Sequence, residues 1–149
     1  MTSTDTTSTT VTATPARSTA PWRDVLTITA VAYVAAVVAC ELVLLVGIAA
    51  EASFVLTVPG TPPHPVTSWD IVTTSTILPI GVLLAALLAR WRRWFLRVGQ
   101  VVGGALALLS VLGPLTGPTD SGTRLALSLM HVLVGAGAVI ALEAIGRRR

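Results

Sequence analysis

Long apolar segments alternate with short polar stretches along most of the chain. The apolar segments cover residues 25–50, 71–89, 98–115 and 125–145. Each is close to the ~20 residues that a helix needs to cross the ~30 Å hydrocarbon core of a bilayer. Because that core contains no water, each segment must satisfy its own backbone hydrogen bonds and is predicted to be a helix. The pattern predicts an all-α fold, a bundle of four transmembrane helices in residues 22–149.

Residues 1–21 form a different kind of segment. They are mostly Thr, Ser, Ala and Pro, with almost no large apolar side chains. Such a segment cannot bury enough apolar surface to offset the entropy that it would lose on ordering. We therefore predict a disordered N-terminal tail ahead of the bundle.

Charged residues are few and unevenly placed. They make up 11% of the 149 residues, against about 25% in a typical soluble domain, which excludes an ordinary soluble globule. The formal net charge is +3, and all ten basic residues are Arg. The arginines lie in the gaps between apolar segments, which is typical of topology signals and not of a nucleic-acid-binding surface. The lipid bilayer is therefore a predicted partner, and nucleic acid is not.

The arginines also predict the orientation of the bundle. Nine of the ten fall on one side of the membrane, and only Arg124 falls on the other. By the positive-inside rule, both termini and residues 90–97 are cytoplasmic in a multi-pass protein of the cell (plasma) membrane. Arginines at a membrane surface also bind anionic lipid headgroups. We predict this anchoring role for Arg90, Arg92, Arg93, Arg97, Arg147, Arg148 and Arg149.

Local signals predict how the helices begin, bend and are tied together. Thr67 and Asp70 have the spacing of a capping box at the start of the second helix. Pro79 lies within that helix, where its missing N–H removes a backbone hydrogen bond and predicts a kink. Glu143 is expected to form a salt bridge with an arginine near the same membrane surface: Arg90, Arg97 or Arg147.

Two ionisable residues fall inside the spans, Glu41 in the first and His131 in the fourth. Counted along their helices, both lie in the outer half of the membrane. Ionisable groups at this depth are costly and face a bundle interior or a wet cavity. One hypothesis is a Glu41–His131 pair in an outward-open polar pocket; the other is that each is a satisfied structural group. The predicted polar layer is completed by Thr73, Thr76, Ser110 and Ser128.

Small residues form stripes on the third and fourth spans. Gly103, Ala107 and Ser110 share one helix face, and Gly135 follows His131 on another. Such stripes let membrane helices approach closely, either within the bundle or across a dimer interface. His64, between prolines, is interpreted as a solvated loop residue.

The sequence lacks the motifs of familiar catalytic and cofactor sites. It contains no glycine-rich phosphate loop, no nucleophile elbow and no zinc-binding His–Glu motif, and Cys40 is its only cysteine. We therefore expect a non-enzymatic protein with no cofactor and no metal. Three functions stay open: an accessory or interaction protein with a membrane-protein partner, a proton-linked small transporter acting as a homodimer, and an outward-facing sensor or binder of a small molecule.

One part of the chain resembles a known family. The block Leu127–Ala136, which contains Leu129-Met130-His131, together with Pro79 and Pro114-Leu115, resembles small four-helix membrane proteins of high-GC bacteria. That family is classed only as a domain of unknown function. The resemblance covers about residues 22 to 146 and implies the four-helix fold without implying an activity.

Overall fold

The computed structural model describes residues 22–57, 60 and 62–148, so the predicted tail and Arg149 lie outside the described residues. The described part is almost entirely helical, with one short antiparallel hairpin in which Val55 pairs with Pro65. In chain order the elements are α1 (Trp22–Ala49), β1 (Val55–Leu56), β2 (His64–Pro65), α2 (Ser68–Ser75), α3 (Ile77–Leu88), α4 (Trp94–Ser110), α5 (Leu112–Thr116) and α6 (Ser121–Arg147).

These helices form four candidate membrane spans. Each is long and apolar enough to cross a bilayer: Trp22–Ala49, Ser68–Leu88, Trp94–Thr116 and Ser121–Arg147. The prediction of an all-α, four-helix membrane protein is confirmed. The second and fourth spans begin ahead of their apolar segments, where Thr67 and Asp120 supply side-chain caps. Asp120, for example, accepts a hydrogen bond from the Thr123 backbone N–H at the start of α6.

The bundle has two chemically different ends. The termini end comprises the start of α1, the α3–α4 turn and the end of α6; the hairpin end comprises the β-hairpin, the start of α2 and the α5–α6 turn. At the termini end, Arg148 pairs with Asp24 at 3.1 Å, which ties α6 to α1. Glu143 pairs with Arg147 at 3.0 Å, so the expected salt bridge of Glu143 goes to that arginine.

Helix α6 is the centre of the bundle and packs against α1, α3, α4 and α5. Small residues allow the close contacts. A Cβ atom added to Gly135 would overlap the Cβ of Ala107 on α4. A Cβ on Gly137 would lie 3.2 Å from Leu78 Cδ1. The predicted role of small residues in helix packing within the bundle holds for this stretch of α6.

The second span is interrupted at Thr76, between α2 and α3. The Thr76 backbone N–H donates to the Thr73 carbonyl at 3.2 Å, which tightens the turn. Pro79 follows three residues later and has no N–H to offer to the carbonyl of Ser75. The interruption therefore lies where the proline weakens the helix.

The close α4–α6 crossing yields a stability prediction. Replacing Gly135 with Ala should push α4 away from α6 and lower the free energy of unfolding by about 1–3 kcal/mol, as overpacking does. The matched change Gly103→Ala places its methyl group in open space and should leave stability unchanged or raise it by up to ~1 kcal/mol through helix propensity. Unfolding of both variants in detergent measures the difference; equal stabilities would contradict the packing described here.

Candidate functional site

A cavity of about 1210 Å³ opens between the second and third spans. We call it the cleft. One wall is α2 and α3, the other is α4 and α5, and α6 forms the back. Its lining on α4 recurs every three or four residues, which marks one helix face: Phe95, Val98, Gly99, Val102, Gly103 and Leu106.

The cleft is long because it follows the helix axes. Its lining on α4 runs from Phe95 to Ser110, which is about 22 Å at 1.5 Å per residue. The lining continues along α5 to its C-cap, at Gly113, Pro114 and Gly117, so the cleft follows the third span over nearly the whole ~30 Å hydrocarbon core. At the termini end α3 and α4 touch, since a Cβ on Gly99 would lie 2.9 Å from the Cβ of Ala85. The cleft therefore widens from that contact toward the hairpin end.

His131 is the ionisable residue on the back wall of the cleft. Its Nδ1 lies 2.7 Å from the carbonyl oxygen of Leu127, one turn earlier on α6. A carbonyl only accepts hydrogen bonds, so Nδ1 carries the proton, and in the neutral ring Nε2 is an acceptor. Within the described part of the chain Nε2 has no hydrogen-bond partner. The back wall thus presents an acceptor to whatever occupies the cleft.

Two other polar side chains of the cleft also present acceptors. The Ser110 hydroxyl donates to the Ala107 carbonyl at 2.8 Å. The Thr74 hydroxyl donates to the Asp70 carbonyl at 2.5 Å. Each hydroxyl has given its proton to its own helix, which leaves only oxygen lone pairs for a further partner.

The predicted Glu41–His131 pair is not formed in this structure. Glu41 accepts a hydrogen bond from the Ser68 hydroxyl at 2.9 Å, at the start of α2. The neighbouring Cys40 is the residue that faces α6, where its thiol donates to the Met130 carbonyl at 3.8 Å. Successive residues on an α-helix differ by about 100° in direction. Glu41 therefore points at α2 and is not among the residues that line the cleft.

The rest of the predicted polar layer is also dispersed. The exposed Thr73 and Thr76 hydroxyls donate to carbonyls of their own helix, at 2.8 Å and 2.5 Å. The buried Ser128 hydroxyl has no hydrogen-bond partner within the described residues. Of the six predicted residues, His131 and Ser110 line the cleft. The structure thus places these two on one cavity and leaves the other four outside its lining.

Two residues at the hairpin end of the cleft were not predicted to belong to a site. His64 Nε2 lies 3.3 Å from Asp70 Oδ2, and both residues line the cleft. The same carboxylate accepts from the Thr67 backbone N–H at 2.8 Å, which confirms the predicted capping box. His64 was interpreted as solvated; it is exposed, but the hairpin brings it to the start of α2. Only the spacing Thr67-x-x-Asp70 signalled a carboxylate there.

The β-hairpin and its flanking residues, 53–57 and 62–66, cover the hairpin end of the cleft. We call this segment the roof, and it is anchored on the start of α6. Asp120 accepts hydrogen bonds from the hydroxyls of Ser53 and Thr123. The Thr123 hydroxyl in turn accepts from the Phe54 backbone N–H at 2.9 Å. Thr119 donates to the Val55 carbonyl at 3.2 Å. These bonds hold the hairpin over the cleft and keep Phe54 in its left-handed conformation, with φ at 47°.

The Phe54 side chain also packs the roof against the bundle. Its side chain is buried, and its ring atom Cζ would lie 2.5 Å from a Cβ atom added to Gly47 on α1. The absence of a side chain at Gly47 makes room for the ring. The roof is therefore held by packing as well as by hydrogen bonds.

The hydrogen bonds to Asp120 imply a dependence of stability on pH. The Ser53 hydroxyl, followed by the Thr123 hydroxyl and backbone, holds the pKa of the Asp120 carboxyl far below its usual range. A carboxyl with a lowered folded-state pKa contributes stability above its unfolded pKa of about 3.9, and this contribution is lost as the pH falls further.

The melting temperature of the wild-type protein should therefore fall as the pH drops below about 4. The variant Asp120→Asn should lose part of this decline, because its amide does not titrate. Glu51→Gln, which alters an exposed acid at the same end, serves as the control and should keep the wild-type decline. An unchanged acid profile in Asp120→Asn would show that Asp120 does not anchor the roof.

The described arginines of the predicted anchoring set lie at the termini end, and Arg149 is outside the described residues. Arg90, Arg92 and Arg97 are exposed, Arg147 and Arg148 form the ion pairs described above, and Arg93 is exposed on the α3–α4 turn. Trp94 and Phe95 stack beside this turn, with ring centroids 4.7 Å apart. Binding of these arginines to lipid headgroups stays a prediction.

Comparison with known families gives one match. The model of DUF6069, described as a family of unknown function, matches residues 19–148. The match confirms the resemblance to an uncharacterised family that the fourth-span block suggested. No curated protein and no solved structure matches the chain.

Proposed function

The chain belongs to DUF6069, a family of unknown function, and from that premise we propose that it is a non-enzymatic membrane protein that binds a hydrophobic small molecule in the cleft. The ligand has an apolar body and one hydrogen-bond donor, such as a hydroxyl group. The observation that carries this proposal is the unpartnered Nε2 of His131 on the wall of a long, mostly apolar cavity.

Polar complementarity supports this ligand class. In the water-free core of the bilayer a polar atom has to find its partner on the protein or on a ligand, and leaving one unpaired costs about 1–3 kcal/mol. Three atoms of the cleft can accept a hydrogen bond: His131 Nε2, Ser110 Oγ and Thr74 Oγ1. A ligand with a hydrogen-bond donor supplies the partner that the cleft itself does not provide. A ligand with only acceptor groups does not.

The same contacts bear on the other functions that the sequence left open. A proton-linked transporter working as a dimer depends on Glu41 as a proton carrier in the path, yet Glu41 bonds to Ser68 and does not line the cleft. An accessory or interaction role is part of our proposal, because a binder without catalytic groups acts through a partner. That partner is a second copy of the chain or another membrane protein.

We further propose that the protein lies in the plasma membrane with its termini in the cytoplasm. The support is the charge at the two ends of the bundle. Within the described residues, the acidic side chains at the termini end are Asp24 and Glu143. The basic ones are Arg23, Arg90, Arg92, Arg93, Arg97, Arg147 and Arg148. Such an excess of arginine is typical of the cytoplasmic side.

Cysteine labelling tests the orientation. The native Cys40 is buried, so it should not react with a maleimide and should add no background signal. Pro63→Cys at the hairpin end should react with a membrane-impermeant maleimide on intact cells, whereas Arg92→Cys should react only after the cells are opened. The opposite pattern would place the termini outside.

Ligand binding is tested with matched probes, hexadecanol and hexadecyl methyl ether, on protein in nanodiscs. The alcohol donates a hydrogen bond and the ether does not. Wild-type protein should prefer the alcohol by about 2- to 12-fold, the equivalent of a net hydrogen bond of about 0.5–1.5 kcal/mol. His131→Leu should lose the preference, and His131→Gln, which restores an acceptor, should recover part of it.

Thr73→Val is the control for this experiment, because it removes a hydroxyl that lies outside the cleft. It should keep the full preference for the alcohol. Equal binding of the two probes by the wild-type protein would refute the proposed ligand class.

A further inference from the structure

We propose that the cleft takes a methyl-branched apolar chain that enters sideways from the bilayer, and that Gly81 and Gly103 set the width available to it. This inference rests on the proposed binding function and names the class of ligand more closely. The ligand is a neutral branched-chain alcohol that dissolves in the bilayer.

The register of α3 and α4 places the two glycines opposite each other. The helices are antiparallel neighbours and touch where Gly99 meets Ala85. One turn toward the hairpin end from this contact, Gly81 follows on α3 and Gly103 on α4. A Cβ added to either glycine meets no atom within 4 Å. The two helices have therefore separated by this point, and both glycines face open space in the cleft.

These glycines differ from those that serve packing. Gly135 and Gly99 lie so close to neighbouring helices that a Cβ would clash, which explains the absence of a side chain there. Gly81 and Gly103 contact no neighbour, although glycine weakens a helix by about 1 kcal/mol relative to alanine. Helix packing therefore does not account for glycine at these two positions. The space that they leave open is available to a molecule bound in the cleft.

The open side of the cleft faces the lipid. Residues that both line the cleft and are more than half exposed flank the two glycines: Ile77, Ile80, Leu84 and Leu106. A molecule dissolved in the bilayer can pass between them. At the hairpin end the lining includes the roof residues Leu56 and Val66 and the α5–α6 turn at Pro118.

His131 favours a small molecule over a transmembrane helix of a partner protein as the occupant. A helix uses its backbone N–H groups in its own hydrogen bonds, and its Ser and Thr hydroxyls commonly donate to its own carbonyls. A lipid-soluble alcohol brings a free hydroxyl to Nε2.

The depth of His131 in the membrane further restricts which ligands can reach it. It lies ten residues into α6 from Ser121, about 15 Å from the hairpin end. A charged headgroup at this depth is costly, so the donor that reaches Nε2 belongs to a neutral molecule, which disfavours a phospholipid. The opposed Gly81 and Gly103 leave open space on both sides of the cleft. A chain with methyl branches fills that space with fewer voids than a straight chain does.

The test compares phytanol with hexadecanol, since phytanol is hexadecanol with methyl branches. Wild-type protein in nanodiscs should bind phytanol at least several-fold more tightly. The double variant Gly81→Leu with Gly103→Leu fills the open space and should weaken phytanol binding by about tenfold, equivalent to about 1.4 kcal/mol, while hexadecanol binding changes less. Because a Cβ atom at either position meets no atom within 4 Å and leucine favours a helix more than glycine does, the variant should melt no lower than the wild-type protein.

Ala105→Leu is the control, because Ala105 is exposed on α4 and does not line the cleft. It should leave the affinities for both alcohols unchanged. Equal binding of the two alcohols by the wild-type protein, or equal losses in the glycine variant, would overturn the branched-chain proposal. If the preference of wild-type protein for alcohol over ether persists in that case, the proposed function stands and only the chain assignment fails. A preference for phosphatidylcholine over phytanol in the same assay would also overturn it.

Discussion

The close approach of α4 to α6 is the constraint on which the rest of the structure depends. It is possible only because Gly135 has no side chain where the Cβ of Ala107 arrives. With α4 held against α6, its contact with α3 is made near the termini end, at Gly99 and Ala85. The space beyond that contact becomes the cleft. Helix α6 is therefore both the centre of the bundle and the wall that carries His131.

Hydrogen bonding within the chain decides which polar groups are available to a ligand. A polar group in the bilayer core must find a partner, since water is absent. Glu41 is satisfied by Ser68, and the Tyr33 hydroxyl donates to the Val72 carbonyl at 3.1 Å. Threonine hydroxyls of α2 are satisfied by their own helix. His131 differs because its bond to Leu127 uses one ring nitrogen and leaves the other facing the cleft.

The sequence predicts the helices well and the site only in part. Apolar segment length predicted four spans, and side-chain spacing predicted the capping box at Thr67. Counting residues from the loops, however, gives depth and not the direction in which a side chain points. Glu41 and His131 were thus paired by depth, although Cys40 is the residue that faces α6. The Gly103 stripe was interpreted as packing; Ala107 packs on α6, but Gly103 faces the cleft. Such distinctions depend on helix rotation and tilt, which composition does not encode.

The central claim, that an apolar chain occupies the cleft, is tested most directly by photocrosslinking. Phytanol carrying a diazirine on its chain would be irradiated with the protein in nanodiscs, and the modified residues would be identified by mass spectrometry. The account predicts crosslinks to the cleft-lining face of α6, at Met130, Val134 and Ala138. Val134 and Ala138 are half-buried on the back wall of the cleft, so lipid that stays outside the cleft does not reach them. Crosslinks confined to lipid-exposed residues such as Val31 and Leu108 would contradict the account.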